Sequence, residues 1–391
     1  MRAIIKTIDL FFRLLAKEFK FIFTDEGILM FVFLVPLGYP LLYSWIYNNE
    51  VVRDVPVAVV DMAHSKSSQE FVRAFNASPT VEATYYCNNL EEAKALIGKQ
   101  VVRGVLYFPQ DYDKKLNRGE QSTISIYCDM SLMLTYKAIY QSALSVSLEQ
   151  NKSIQKPKTF SFTEWDEELN TEPIHVEEKS IYNTTEGYGN AILPGVLILI
   201  LQQTLMLGIG LSAGTMSEKK DKAYLKIGQS IGGVYTLISA KTVAYFTIFT
   251  VLASYITIAV PHFFGFTMLA EPLPLICLLV PYLLAAIFFA MIISLFVRLR
   301  ENVMLIIVFT SIPFLFMSGV SWPLSNIPGF WQGVSWLIPS TFGIRGYLTL
   351  AALGGSLNDV LPYCRYLWIQ TFAYFFIVLI CHYKMLKGYR K

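Results

Sequence analysis

Six long apolar runs limit what this 391-residue chain can fold into: Ile28 to Tyr47, Ala191 to Ala213, Leu237 to Phe264, Leu273 to Val297, Val303 to Val320 and Tyr366 to Tyr383. A helix needs about 20 mostly apolar residues to cross the hydrocarbon layer, so each run is expected to be a membrane-spanning helix. Between the first two lies a segment of another kind. Asn48 to Tyr188 carries 14 Lys/Arg and 20 Asp/Glu, more than half of the 61 charges in the chain. The overall figure of 16 % charged residues therefore averages a lipid-embedded body with a water-soluble insertion. The net charge of +3 is small and scattered, which excludes a nucleic-acid partner, since that needs a basic face or stripe.

The loop charges predict the orientation. Short segments rich in Lys and Arg stay cytoplasmic. With one crossing before the insertion and five after it, residues 1–27, 214–241, 298–302 and 384–391 fall on one side, with 16 Lys/Arg against 7 acids. Apart from the insertion, the other side has only Arg345, Arg365, Glu271 and Asp359. Both termini are thus expected in the cytoplasm and residues 48–188 outside, in a multi-pass protein of a bacterial inner membrane. Net −6 on the insertion does not oppose this, because long domains translocate largely regardless of charge.

Ahead of the first run, Ile4, Ile8, Phe11, Leu15, Phe19 and Ile22 recur at helical spacing, opposite Arg2, Lys6, Asp9, Arg13, Lys17 and Lys20. Residues 1–27 therefore predict an amphipathic helix, lying in the headgroup layer or packed on the chain's own cytoplasmic loops. In the insertion, strand-like runs at Val55–Val60, Thr80–Cys87, Val101–Phe108 and Ser122–Cys128 alternate with helical patterns at Lys66–Asn76 and Leu90–Lys99. That alternation predicts an α/β domain with parallel pairing, followed by a helix at Leu132–Leu148. Cys87 and Cys128 either pair or stay free thiols.

Several chemistries are absent from the sequence. There is no Walker loop for nucleotide, and the four histidines are too dispersed for a metal site. Acids are nearly missing from the apolar runs, whereas an ion-coupled carrier keeps carboxylates there. The chain is expected to be no enzyme and to hold no cofactor, and its energy must come from a partner.

Three stretches resemble the membrane subunit of type-2 ATP-binding cassette exporters, in the subgroup with a large external domain between helices one and two. They are Asn190-Ala191-Ile192-Leu193-Pro194-Gly195 with the run that follows, the charged stretch from Thr215 to Lys241, and Ser318-Gly319-Val320-Ser321-Trp322-Pro323-Leu324-Ser325-Asn326-Ile327-Pro328 continuing to Pro339-Ser340-Thr341 and Arg345. In the second stretch, Asp221-Lys222-Ala223 replaces the family's Gly-Thr. The resemblance implies an amphipathic elbow helix, six transmembrane helices, an outer re-entrant region over residues 320–362 and a cytoplasmic coupling loop over 214–236. It also implies a cytoplasmic ATPase that binds ATP and Mg, pairing with a second permease copy or paralogue, contact with membrane lipid, and room for a periplasmic adaptor.

Candidate residues follow from charge and depth. Glu218, Lys219, Lys220, Asp221 and Lys222, with Arg298, Arg300 and Glu301 as a second set, are candidates for ATPase contact, the alternative being topological anchoring. Gln202, Gln203 and Thr204 lie mid-helix, where unpaired amides are costly, and either line a substrate path or join helices. Phe314, Phe316, Met317 and Trp322 either line an apolar exit or meet lipid, with a kink allowed at Pro313; Arg345 reaches lipid phosphate, a carbonyl or substrate. Gly210 and Gly214 offer small-residue helix packing. The expected function is export of a hydrophobic or amphipathic compound, drug-like, lipid or glycolipid. The alternative is a non-transporting membrane protein whose external domain senses a ligand or scaffolds an envelope assembly.

Overall fold

The computed structural model describes residues 2–48, 51–155, 182–183, 187–219, 230–297 and 299–388. They fall into two compact units, Met1–Glu50 with Ile181–Lys391, and Val51–Ser180.

The first unit is helical. An elbow helix, Arg2–Thr24, precedes six helices long and apolar enough to cross a membrane: span 1 (Glu26–Ile46), span 2 (Gly189–Glu218), span 3 (Ile231–Phe264), span 4 (Pro272–Ser294), span 5 (Arg300–Met317) and span 6 (Leu357–Met385). Short helices at Gly329–Ser335 and Pro339–Ala351 lie between spans 5 and 6. Span 2 is buried along most of its length and packs on spans 1, 4 and 5 and on Pro339–Ala351. Tyrosines from two neighbours reach into its backbone: Tyr245 of span 3 donates to the Gly208 carbonyl at 3.1 Å, and Tyr282 of span 4 to that of Ile198 at 2.7 Å. The elbow's apolar face rests on the bundle, with Leu14 against Leu237 and Ala240 of span 3.

Prolines shape the spans without ending them. Span 1 has a π-helical turn at Met30–Leu34 just ahead of Pro36, and span 3 has one at Tyr255–Ala259 just ahead of Pro261. Proline removes an N–H and clashes with the carbonyl four residues back, and a widened turn relieves that clash. Pro313 lies inside the continuous helix of span 5.

The second unit is a four-stranded sheet ordered β2-β1-β3-β4. Its elements are β1 (Val55–Asp61), α1 (Lys66–Asn76), β2 (Val81–Tyr86), α2 (Leu90–Gly98), β3 (Gly104–Phe108), α3 (Tyr112–Asn117), β4 (Ser125–Cys128) and α4 (Met133–Gln155). The central β1 pairs parallel with β2 and β3, and β4 closes the edge antiparallel to β3. Alternation along β1 splits the core, since successive strand side chains point to opposite faces. Val55, Val57 and Val59 join Phe71, Phe108 and Ile139, while Ala58 and Val60 join Ala93 and Cys87.

Some expectations need revision. The α3 helix is not among the expected elements, because its sequence Tyr-Asp-Lys-Lys-Leu-Asn is polar and too short to show a period. α4 runs seven residues past Leu148, carried by helix-tolerant polar residues. Residues 214–219 continue the helix of span 2 and residues 231–236 begin span 3, so the expected loop over 214–236 narrows to 220–230, of which 220–229 lie outside the described residues. Cys87 and Cys128 are both free thiols, and burial pushes the Cys128 thiol up to about 11.

Gly210 and Gly214 of span 2 do pack closely. A Cβ at Gly210 would come within 2.6 Å of Val303 in span 5, and one at Gly214 within 3.1 Å of the Arg300 backbone. Replacing Gly210 with Leu is expected to cost about 1–3 kcal/mol by overpacking, read as a lower thermal unfolding midpoint in lipid nanodiscs. Val303→Ala in the same chain should recover part of the loss; an unchanged midpoint in the single variant would overturn the close approach.

Candidate functional site

At the end of the membrane unit where span 2 finishes and span 5 starts, two charge ties join the helices. The first is buried. Glu18 of the elbow, 2 % exposed, lies 3.6 Å from Lys241 of span 3, and Ser212 of span 2 joins them, donating to Glu18 at 3.3 Å and accepting from Lys241 at 3.0 Å. The Lys241 ammonium also sits 6.0 Å from the centre of the Tyr245 ring. A lone buried charge is costly, so each partner holds the other in place. Sequence reasoning missed this pair. Its signal was present, for Glu18 falls on the elbow's apolar stripe, three residues after Leu15 and four before Ile22.

The second tie centres on Arg300, the first residue of span 5. Its guanidinium makes two hydrogen bonds, at 2.7 and 2.9 Å, to the Asp25 carboxylate, which also accepts from the Ile28 backbone N–H at 3.2 Å and so caps the start of span 1. The Arg300 backbone N–H donates to Glu218 Oε1 at 3.0 Å, satisfying an orphan N–H at the start of span 5 from the end of span 2. Arg300 thus joins spans 1, 2 and 5. Burial acts to raise the Asp25 pKa, but the Arg300 hydrogen bonds and the backbone N–H outweigh it and hold the carboxyl below its ordinary value.

A polar cluster occupies the middle of the bundle. Gln202 of span 2, fully buried, accepts from the Ser340 backbone N–H at 2.7 Å and so caps the first turn of Pro339–Ala351. Tyr374 and Gln370 of span 6 donate to the carbonyls of Leu337 and Trp336, the latter at 2.6 Å. Arg345 Nε donates at 3.1 Å to the carbonyl of Ser318, at the end of span 5. The carbonyl is thus one destination that Arg345 reaches. Some buried polar atoms here have no hydrogen-bond partner among the described residues: Gln202 Nε2, both Gln203 amide atoms, the Ser340 and Thr341 hydroxyls, Arg345 Nη2 and Gln370 Oε1.

The other candidates separate. Thr204 bonds back to its own helix at Ile200 and Leu201. Phe314 and Met317 are buried, whereas Phe316 and Trp322 are each 52 % exposed. Glu301 is exposed. Lys220, Asp221, Lys222 and Arg298, and the side chain of Lys219, lie outside the described residues.

A six-helix bundle with a broken helix before its last span and charge ties at one end fits the comparison with known proteins. Residues 27–380 match the family described as ABC-2 family transporter protein. The chain belongs to that family. It is also similar to the linearmycin resistance permease protein LnrN of Bacillus subtilis (strain 168), with 21 % identity over 355 residues, covering 85 % of this chain and 89 % of that protein. The protein is therefore a multi-pass ABC-2 permease, and membership implies an ATP-binding cassette ATPase as partner.

Two outcomes follow for the ties. Lys241→Met removes the cation beside the buried Glu18 and should destabilise the permease by about 3–5 kcal/mol, while Lys241→Met with Glu18→Met should recover most of that. Thermal unfolding of both variants checks the pair; equal melting of wild type and the single variant would refute it. Because the folded pKa of Asp25 is depressed, its stabilisation is present above the ordinary carboxylate value of about 3.9 and is lost as pH falls through the lower folded value. Acid unfolding curves of wild type and Asp25→Asn should converge below that range and separate above it.

Proposed function

We propose that this permease is the membrane subunit of an exporter that moves a hydrophobic or amphipathic compound outward across a bacterial inner membrane. A separate cytoplasmic ATPase, holding ATP and Mg, supplies the energy. In this reading both termini and the Arg300 end are cytoplasmic, and residues 48–188 are external. A second copy or paralogue pairs through the membrane. Span 5 exposes Leu305, Val308, Phe309 and Ile312, an apolar face suited to lipid or to that copy.

The observation that carries this reading is the Arg300 tie. The charged stretch from Glu218 to Lys222 continues directly from the end of span 2, and Glu218 is bonded to the start of span 5, which in turn holds span 1 through Asp25. A force applied by an ATPase to that stretch would reach three spans through hydrogen bonds rather than through a slack loop. The unpartnered Gln202 Nε2 and the Gln203 amide would then meet polar groups of a passing amphiphile, or water. The relative's printed link to resistance supports efflux as the direction of transport.

Charge reversal tests the docking surface. Lys219→Glu with Lys220→Glu should reduce capture of the cognate ATP-binding cassette ATPase by about tenfold, an effect that weakens with salt as expected for screened charges. In inverted vesicles the wild-type pair should accumulate amphipathic compounds only with ATP. Full capture by the reversed variant would remove the docking assignment, and absence of any ATP-dependent uptake across a compound panel would remove the exporter reading.

A further inference from the structure

We propose that the inserted α/β unit holds a binding site of its own, taking the apolar end of a small neutral amphiphile. The site is a cavity of about 180 Å³ between β4 and the helices on that face of the sheet. Phe71 of α1, Tyr112 of α3 and Ile126 of β4 form its apolar walls, and α4 closes the remaining side with Ala143 and Ser147.

Three observations point to a ligand rather than a packing defect. The space exceeds the gap left by a missing methyl group or two, and its lining is mixed, with Gln150 and Asn151 of α4 adding polar groups beside the apolar walls. One wall carries the hydroxyl of Ser122, whose oxygen is buried and has no hydrogen-bond partner among the described residues, and buried polar groups are normally paired. The apolar surface also continues past the mouth along one side of α4, where Tyr140, Leu144 and Leu148 are 45, 44 and 51 % exposed. No charged side chain lines the cavity, so a charged head would find no counterion inside. The occupant that fits is an aryl or alkyl group with one neutral hydrogen-bonding head placed at Ser122, its remainder lying over the lip formed by Leu144 and Leu148. This site stands apart from the transport reading, since it needs neither nucleotide nor a moving bundle.

Paired photoprobes test it on the full-length permease in lipid nanodiscs without ATPase. 4-(3-(Trifluoromethyl)diazirin-3-yl)benzyl alcohol and hydroxyl-free 3-phenyl-3-(trifluoromethyl)diazirine are crosslinked over a concentration series and the labelled peptides are mapped by mass spectrometry. Saturable labelling within residues 112–126 and 140–154 is expected for both probes. Ser147→Phe, which fills the cavity from a half-buried position, should weaken both. Ser122→Ala removes one hydrogen bond and should weaken the hydroxylated probe about fivefold while leaving the hydroxyl-free diazirine nearly unchanged. If Ser147→Phe fails to fold, the Ser122→Ala contrast between the two probes still decides. Labelling confined to the membrane spans, or labelling that is unsaturable or indifferent to Ser122→Ala, overturns the site. Loss of export in a vesicle assay does not bear on this labelling, so the two readings fail separately.

Discussion

Hydrocarbon offers no hydrogen bonds, so any break in a membrane helix must be repaired by neighbouring side chains. Among the described residues, the helical run is interrupted between Met317 and Pro339, and side chains of the surrounding helices meet the backbone there. Gln202 caps the new helix at Ser340, Arg345 meets the Ser318 carbonyl just past span 5, and Gln370 with Tyr374 takes the carbonyls of Trp336 and Leu337. Gly319 adopts a left-handed φ of 92° where the chain leaves span 5, a turn most side chains resist. The polar residues at membrane depth are thus largely explained by backbone geometry, and those that keep unpartnered atoms, above all Gln203, stand out from that background.

The opposite strategy rules where spans 2 and 5 meet. There the helices are unbroken and are held by charge, with Lys241 between Glu18 and Ser212, and Arg300 between Asp25 and Glu218. Both ties gather elements far apart in sequence, so the elbow and spans 1, 2, 3 and 5 share one mechanical joint. Glu18 and the apolar stripe hold one side of the elbow on the bundle, while Ile8, Phe12 and Phe23 of the same helix stay exposed.

The six spans were legible because apolar length is a local property that each run displays independently. The sheet was legible for a similar reason: Val55 to Val60 and Val101 to Phe108 carry their burial in their composition. The site was not, because its geometry depends on pairs distant in the chain. Arg300 reads as one more positive charge on a short turn until Asp25, 275 residues away, is placed beside it. Gln202 reads equally as helix glue or path lining until Ser340 is seen to donate to it. α3 escaped because six residues cannot display a period.

The π-helical turns in spans 1 and 3 bear on how these helices change between relatives. Each such turn holds one residue more than the ladder requires, which shifts everything beyond it by about 100° around the helix axis. The halves of span 1 on either side of Met30–Leu34 are therefore out of phase, and one helical wheel misassigns the side chains past Pro36, Trp45 and Ile46 among them. A related chain lacking a single residue at that point would keep an unbroken helix of nearly the same length yet turn a different face toward its neighbours. Alignments across the two turns should accordingly be scored in separate frames.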